Sequence, residues 1–175
     1  MLDWDGDGLQ DLVFDLGSCF AWRKGDGTFQ LGGHTCIGPV GALAAVVTDA
    51  GGDALLVAQS DGWWLRRADA RGLLGAGVQV ASAELAASLD RDFAAPADVD
   101  ADGHPEIYAW TSTVPPALVR FDAVDGAWRG CRLYAGPRDL YSIPAGDLDG
   151  DKKLDLLAWR TCSQCTSNHI VARGR

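Results

Sequence analysis

The stretch Asp3–Phe14, DWDGDGLQDLVF, places Asp3, Asp5, Asp7 and Asp11 within one short segment and then turns at once to Leu, Val and Phe. Carboxylates this close repel by about 1 kcal/mol per pair at ~4 Å even in bulk water. A chain keeps such a cluster where solvent screens it on a loop, or where a cation sits among the oxygens. Recurrence argues for the cation. DVDADGHPEIYAW begins at Asp98 and DLDGDKKLDLLAW at Asp147. Aligned, the three copies carry Asp at positions 1, 3 and 5, any residue at 7, an acid at 9, and then an aliphatic run. A fourth, eroded copy, VTDAGGDALLVA, keeps Asp53 at position 9 and otherwise only Asp49. The ninth-position residues Asp11, Asp53, Glu106 and Asp155 follow one another at steps of 42, 53 and 49 residues. A period near 48 is the mark of a repeat architecture.

Each period reads as four short strands. After the acidic loop comes a β-prone run: DLVFDLG, ALLVAQS, EIYAWTS or DLLAWRT. A second run follows: CFAWRKG, WWLRRAD, ALVRFDA or HIVARGR. Asp-Gly turns such as KGDGTF and VDGAW signal hairpins after it. A third run, AWRGCRLYAG, closes the unit, and a fourth leads into the next acidic loop: GALAAVVTDA, FAAPADVD or YSIPAGDLD. Four strands per ~48 residues describe a blade, so the predicted fold is all-β. It is a β-propeller of four-stranded antiparallel blades, with about three and a half to four blades present. Residues 1–175 then form a single propeller or propeller fragment, with repeats at approximately 1–40, 41–89, 90–138 and 139–175. The segment from Ser82, SAELAASLDRDF, reads as a helical turn or two connecting blades.

The strands do not close a ring. The chain opens inside an acidic loop, without the first strand of its first blade, and HIVARGR reads as the third strand of its last. Propellers close by pairing strands from both ends and leave protected edges. Part of a longer propeller, prone to self-association through open edges, is therefore the favoured expectation over a compact four-bladed ring.

Composition narrows the function classes. The chain has 175 residues, 47% hydrophobic, with a formal net charge of −9. That charge argues against nucleic-acid partners and anionic membranes. No stretch approaches the ~18 apolar residues of a membrane span, and no signal-peptide pattern opens the chain. Of five cysteines, Cys162 and Cys165 in CSQC suit a local disulfide or packed thiols ahead of zinc or redox chemistry. Cys36 and Cys131 each stand 25 residues after a ninth-position acid, in equivalent places of different units, which argues against a bond between them.

The copies D-x-D-G-D-G-x-x-D-L at Asp3 and D-L-D-G-D-x-x-x-D-L at Asp147, with RKGDGTF at Arg23, resemble the FG-GAP/VCBS repeats of integrin-α-like β-propellers. The resemblance implies that the acidic loop joins the first and second strands of a blade and binds Ca²⁺. It also implies a module of adhesion or ligand recognition, extracellular or at the cell surface or periplasm, with a protein or glycan partner.

Ca²⁺ takes six to eight oxygen ligands at ~2.3–2.6 Å in geometry that a short loop can supply. The expected ligands are Asp3, Asp5, Asp7, the Leu9 carbonyl and Asp11 in the first loop. In the third they are Asp98, Asp100, Asp102, the His104 carbonyl and Glu106, and in the fourth Asp147, Asp149, Asp151, the Lys153 carbonyl and Asp155. Up to three sites follow, and the second repeat is expected to hold no metal. Gly8 and Gly103 fall at position 6, where a left-handed backbone suits glycine. Lys152 takes that place in the last loop, at a cost of about 1 kcal/mol. An EF-hand needs a glutamate at position 12 and flanking helices. Phe14, Ala109 and Ala158 stand there instead, and strands flank the loops.

Two function classes remain. One is a non-catalytic Ca²⁺-binding recognition module; the other is the propeller of a polysaccharide lyase or hydrolase. The clustered acids are already assigned to metal, His34, His104 and His169 fall in different repeats, and no G-x-S-x-G, H-E-x-x-H or P-loop appears. A non-enzyme is the expectation. Trp63 and Trp64 are candidates for ligand stacking, one on each face of their strand, while the repeated Trp110 and Trp159 suit packing between blades.

Overall fold

The computed structural model of the chain describes residues 2–17, 19–28, 30–36, 41–49, 52–100, 102–135, 140–146, 155–160 and 169–172. Two compact units divide it, Met1–Ala87 and Ser88–Arg175. Each holds two antiparallel sheets built by the meander that the repeat pattern predicts.

The first sheet contains β1 (Leu12–Asp15), β2 (Cys19–Arg23) and β3 (Leu31–Cys36) in chain order. The second contains β4 (Gly41–Asp49), β5 (Gly52–Gln59), β6 (Gly62–Arg66) and β7 (Val78–Ser82). Helix α1 (Ala83–Ala86) ends the unit, with the Ser82 hydroxyl accepting from the Leu85 amide as its N-cap. In the second unit β8 (Leu89–Ala97), β9 (Glu106–Thr111), β10 (Ala117–Val124) and β11 (Ala127–Ala135) form a four-stranded sheet. β12 (Leu140–Gly146), β13 (Asp155–Arg160) and β14 (His169–Ala172) form a three-stranded one. This is the all-β, blade-like architecture expected. Only the connection after Ser82 differs: Leu89 already pairs with Thr111, so the segment is one helical turn followed by strand.

Apolar burial holds each unit. Leu2, Trp4, Phe20, Trp22, Leu55 and Val57 form one core that joins the first two sheets. In the second unit every residue of β9 is buried, and Ala97, Val99, Tyr108, Trp110 and Leu118 cluster on one side. Trp22 is 3% exposed and lies so close to Gly32 and Gly72 that a Cβ at either would fall about 2.5–2.6 Å from its ring. Gly72 also has φ +72°, and its carbonyl accepts the Trp4 indole N–H at 3.0 Å.

A disulfide joins Cys19 and Cys36, directly opposed residues of β2 and β3. The Cys131 thiol is free and exposed, in keeping with the expectation that it does not pair with Cys36. Cys162 and Cys165 lie outside the described residues.

Candidate metal centre

The third and fourth acidic loops lie between the first and second strands of their sheets, and the first precedes β1. Residues 98–105 join β8 to β9, and residues 147–154, outside the described residues, lie between β12 and β13. In the first sheet an isolated antiparallel bridge between Leu2 and Asp11 closes the loop, with the Asp11 amide donating to the Leu2 carbonyl at 2.7 Å. The eroded copy is a different object. β4 and β5 pair as far as Asp49 and Gly52, which leaves two residues of sequence between the paired strands.

The first loop curls around its own carboxylates. Asp3 accepts the Gly6 amide at 2.8 Å through Oδ1 and the Gly8 amide at 2.9 Å through Oδ2. Asp7 accepts the amide of Leu9 at 2.8 Å. Asp11 is fully buried; its two oxygens accept the Trp4 and Gly25 amides, each at 2.8 Å. Gly6 and Gly8 take φ of +77° and +87°, the left-handed backbone expected of position 6 at Gly8.

Together these bonds bring carboxylate oxygens of Asp3, Asp5 and Asp11 within 4.8 Å of one another. At an effective dielectric of ~20, each pair at that distance repels by roughly 3.5 kcal/mol. The Lys24 ammonium lies 3.5 Å from Asp5 Oδ2 and answers part of this charge. Asp5 Oδ1 is buried without a hydrogen-bond partner, on a side chain only 9% exposed. A buried, unpaired carboxylate oxygen costs several kcal/mol unless a cation meets it. The residues present therefore fit a hard divalent ion.

The third loop repeats the bonding. Asp98 accepts the amides of Asp102 at 3.1 Å and Gly103 at 3.0 Å, Asp102 accepts that of His104 at 2.8 Å, and Gly103 has φ +85°. Glu106 is 5% exposed and accepts the Val99 amide at 3.0 Å, as Asp11 accepts that of Trp4. Burial raises the Glu106 carboxyl above its ordinary range, and the Asp100 charge adds to this against the pull of the Val99 bond.

The expected ligands gather unevenly. The first loop unites positions 1, 3 and 9 and leaves Asp7 outside; the third unites Asp98, Asp100 and Asp102 and leaves Glu106 outside. Leu9 and His104 stand in exposed backbone at position 7. In the fourth loop Asp147, Asp149, Asp151 and Lys153 lie outside the described residues, and Asp155 is described only as the first residue of β13.

Residues 98–158 match the family described as FG-GAP-like repeat. The matched stretch is similar to an FG-GAP-like repeat. It runs from position 1 of the third acidic loop through β9, β10 and β11, past the fourth loop and into β13. One whole period of the pattern thus carries the family signature, and the same letters open at Asp3. No curated protein and no solved structure matches the chain.

Two features of the first acidic loop escaped the sequence reading. The KGDG turn between β2 and β3 packs directly on the loop: a Cβ on Gly25 would lie 1.9 Å from the Gln10 carbonyl oxygen. That contact lets the Gly25 amide reach Asp11 and Lys24 reach Asp5. The second feature is Asp53, whose Oδ2 accepts the Asp3 amide at 2.7 Å across the two sheets while the Thr48 hydroxyl bonds its Oδ1. Loop 1 opens here on a cleft of about 520 Å³ lined by Asp3, Trp4, Asp5, Asp53 and Arg67.

The tryptophan expectation needs correction. Trp63 is 2% exposed, so no ligand can stack on it; its face of β6 belongs to the core. Trp64 is half-buried, with its indole N–H bonded to Asp61 at 3.0 Å and the Arg66 guanidinium 5.6 Å from its ring.

Proposed function

We propose that this chain is a Ca²⁺-stabilised, non-catalytic β-propeller module for adhesion or for recognition of a protein or glycan, acting outside the cell. The observation that carries the metal is Asp5 Oδ1, buried and unpaired between Asp3 and Asp11. Asp3, Asp5 and Asp11 would hold the ion in the first loop, and Asp98, Asp100 and Asp102 in the third. The fourth loop offers Asp147, Asp149, Asp151, the Lys153 carbonyl and Asp155 by its matching sequence. Bound Ca²⁺ supplies positive charge that cancels the repulsion among these groups. The chain's own part is to fix the carboxylates: glycine amides orient Asp3, and buried backbone donors orient Asp11.

Calcium at extracellular, millimolar levels suits loops in the ~10⁻⁴–10⁻³ M affinity class of extracellular modules. The FG-GAP-like repeat and its acidic loops support an external recognition role rather than catalysis, because the clustered carboxylates are engaged with backbone amides and each other. Among the described residues, no helix is long and apolar enough to cross a membrane.

Thermal melting with Ca²⁺ and with chelator tests the metal. Free ion at 100-fold above Kd should stabilise the chain by about 2.7 kcal/mol per site. Identical melts in the two conditions would refute it. Binding of the Ca²⁺-loaded chain to glycan and extracellular-protein arrays, lost on chelation, tests the recognition role.

A further inference from the structure

Asp53 is the one acid that the eroded second loop retains at position 9, and its hairpin has shed the loop that a metal would need. Its carboxylate nonetheless faces the first loop. Oδ2 accepts the backbone N–H of Asp3 at 2.7 Å, and Oδ1 is held by the Thr48 hydroxyl. Asp3 is the first member of the carboxylate group Asp3, Asp5 and Asp11, and its own oxygens are already turned inward by Gly6 and Gly8. The described carboxylate bonds of the third loop, by contrast, run within residues 98–106.

We propose that Asp53 is a positioning residue for the cation site of the first loop, so that the second repeat, having lost its own loop, sets the affinity of its neighbour's. The inference rests on the calcium reading above and deepens it. The physical basis is orientation: a group that hydrogen-bonds a ligand residue fixes where its donor atoms stand, and removing such a partner typically costs 10–100-fold in metal affinity. Asp53 also places a negative charge beside the site without joining the ligand cluster. The hydrogen bond and the charge make different predictions. An asparagine at 53 keeps an oxygen for the Asp3 amide and turns its NH₂ to the Thr48 hydroxyl, which accepts, so it preserves the bond and removes the charge.

The test uses the full chain carrying Asp100→Ala and Asp149→Ala, which disable the third and fourth loops. Terbium then reports the first loop through luminescence sensitised by Trp4, which sits between Asp3 and Asp5. Asp53→Ala should weaken terbium binding about tenfold or more. Asp53→Asn should restore it to within about threefold of the Asp53 chain, and Thr48→Val, which loosens Asp53 without touching the Asp3 bond, should fall between them. Near-ultraviolet circular dichroism confirms that each variant is folded. Unchanged affinity in folded Asp53→Ala overturns the inference and leaves the calcium reading standing. Asparagine as weak as alanine overturns the positioning role, because charge alone then matters. No terbium binding in the chain with Asp53 intact overturns the calcium reading itself, and the inference with it.

Discussion

Within the first unit, β5 buries Ala54, Leu55, Leu56 and Val57 to 1% exposure or less, whereas β1, at the same place in its repeat, leaves Phe14 43% exposed. The second sheet is held by apolar contact, and its β4 and β5 pair as far as Asp49 and Gly52. The first has three strands, buries Phe20 and Trp22, and adds two cross-links: a disulfide between β2 and β3 and the KGDG turn seated on the acidic loop. Burial of a strand's side chains at about 25 cal/mol per Å² makes a sheet self-sufficient. A sheet with less of it depends on ligation and covalent closure. In this unit the eroded loop belongs to the sheet that needs it least.

Four perturbations sharpen or break this contrast, from the largest expected effect down. Cys19→Ser opens the covalent closure, which spans 17 residues, and should lower stability in urea by about 3 kcal/mol. A loss below about 1 kcal/mol would mean that the first sheet does not lean on its disulfide. Asp5→Asn should remove about 2.7 kcal/mol of calcium-dependent stabilisation at 100-fold excess of ion. It should also leave the chelated protein as stable as before or more so, since one repelling charge is gone. A chelated form that is destabilised instead would assign Asp5 a purely structural role. Gly25→Ala forces the turn off Gln10 and should cost about 2 kcal/mol, with first-loop metal affinity falling alongside. A stability loss with unchanged affinity would uncouple the turn from the site.

The smallest effect belongs to the exposed turn of the first sheet. Two bonds from Thr28, hydroxyl and amide, hold the Asp26 carboxyl below its ordinary value. A depressed acid contributes stability above its unfolded pKa and loses it as pH falls through the folded value. Thr28→Ala should therefore move the Asp26 titration upward by NMR and blunt the acid sensitivity of the first sheet slightly. An unmoved titration would contradict the assignment.

Much of this was legible in the sequence because strand, turn and acid recur with one period. The runs CFAWRKG, ALVRFDA and GALAAVVTDA became β2, β10 and β4 nearly as read, since alternating apolar residues between Asp-Gly turns leave few other choices. The glycines at position 6 of the first and third loops were legible for the same reason. What stayed hidden depends on contacts between segments far apart in the chain. Asp53 looked like the residue of a dead loop, and only the approach of two sheets shows that it serves Asp3. The Cys19–Cys36 bond stayed hidden for a local reason: a hairpin centred on KGDG would set Cys19 opposite Gly32, and the register shift between Trp22 and Arg23, with a longer turn, brings it opposite Cys36 instead. Trp63 and Trp64 show the limit of alternation, which puts neighbours on opposite faces but does not say that both faces are covered.

Isothermal titration of the metal-free chain with Ca²⁺ tests the central claim most directly. The account predicts saturable heats at millimolar calcium or below, with the stoichiometry falling by one site in Asp5→Ala. Absence of any saturable heat up to several millimolar calcium, or a stoichiometry untouched by Asp5→Ala, would contradict it.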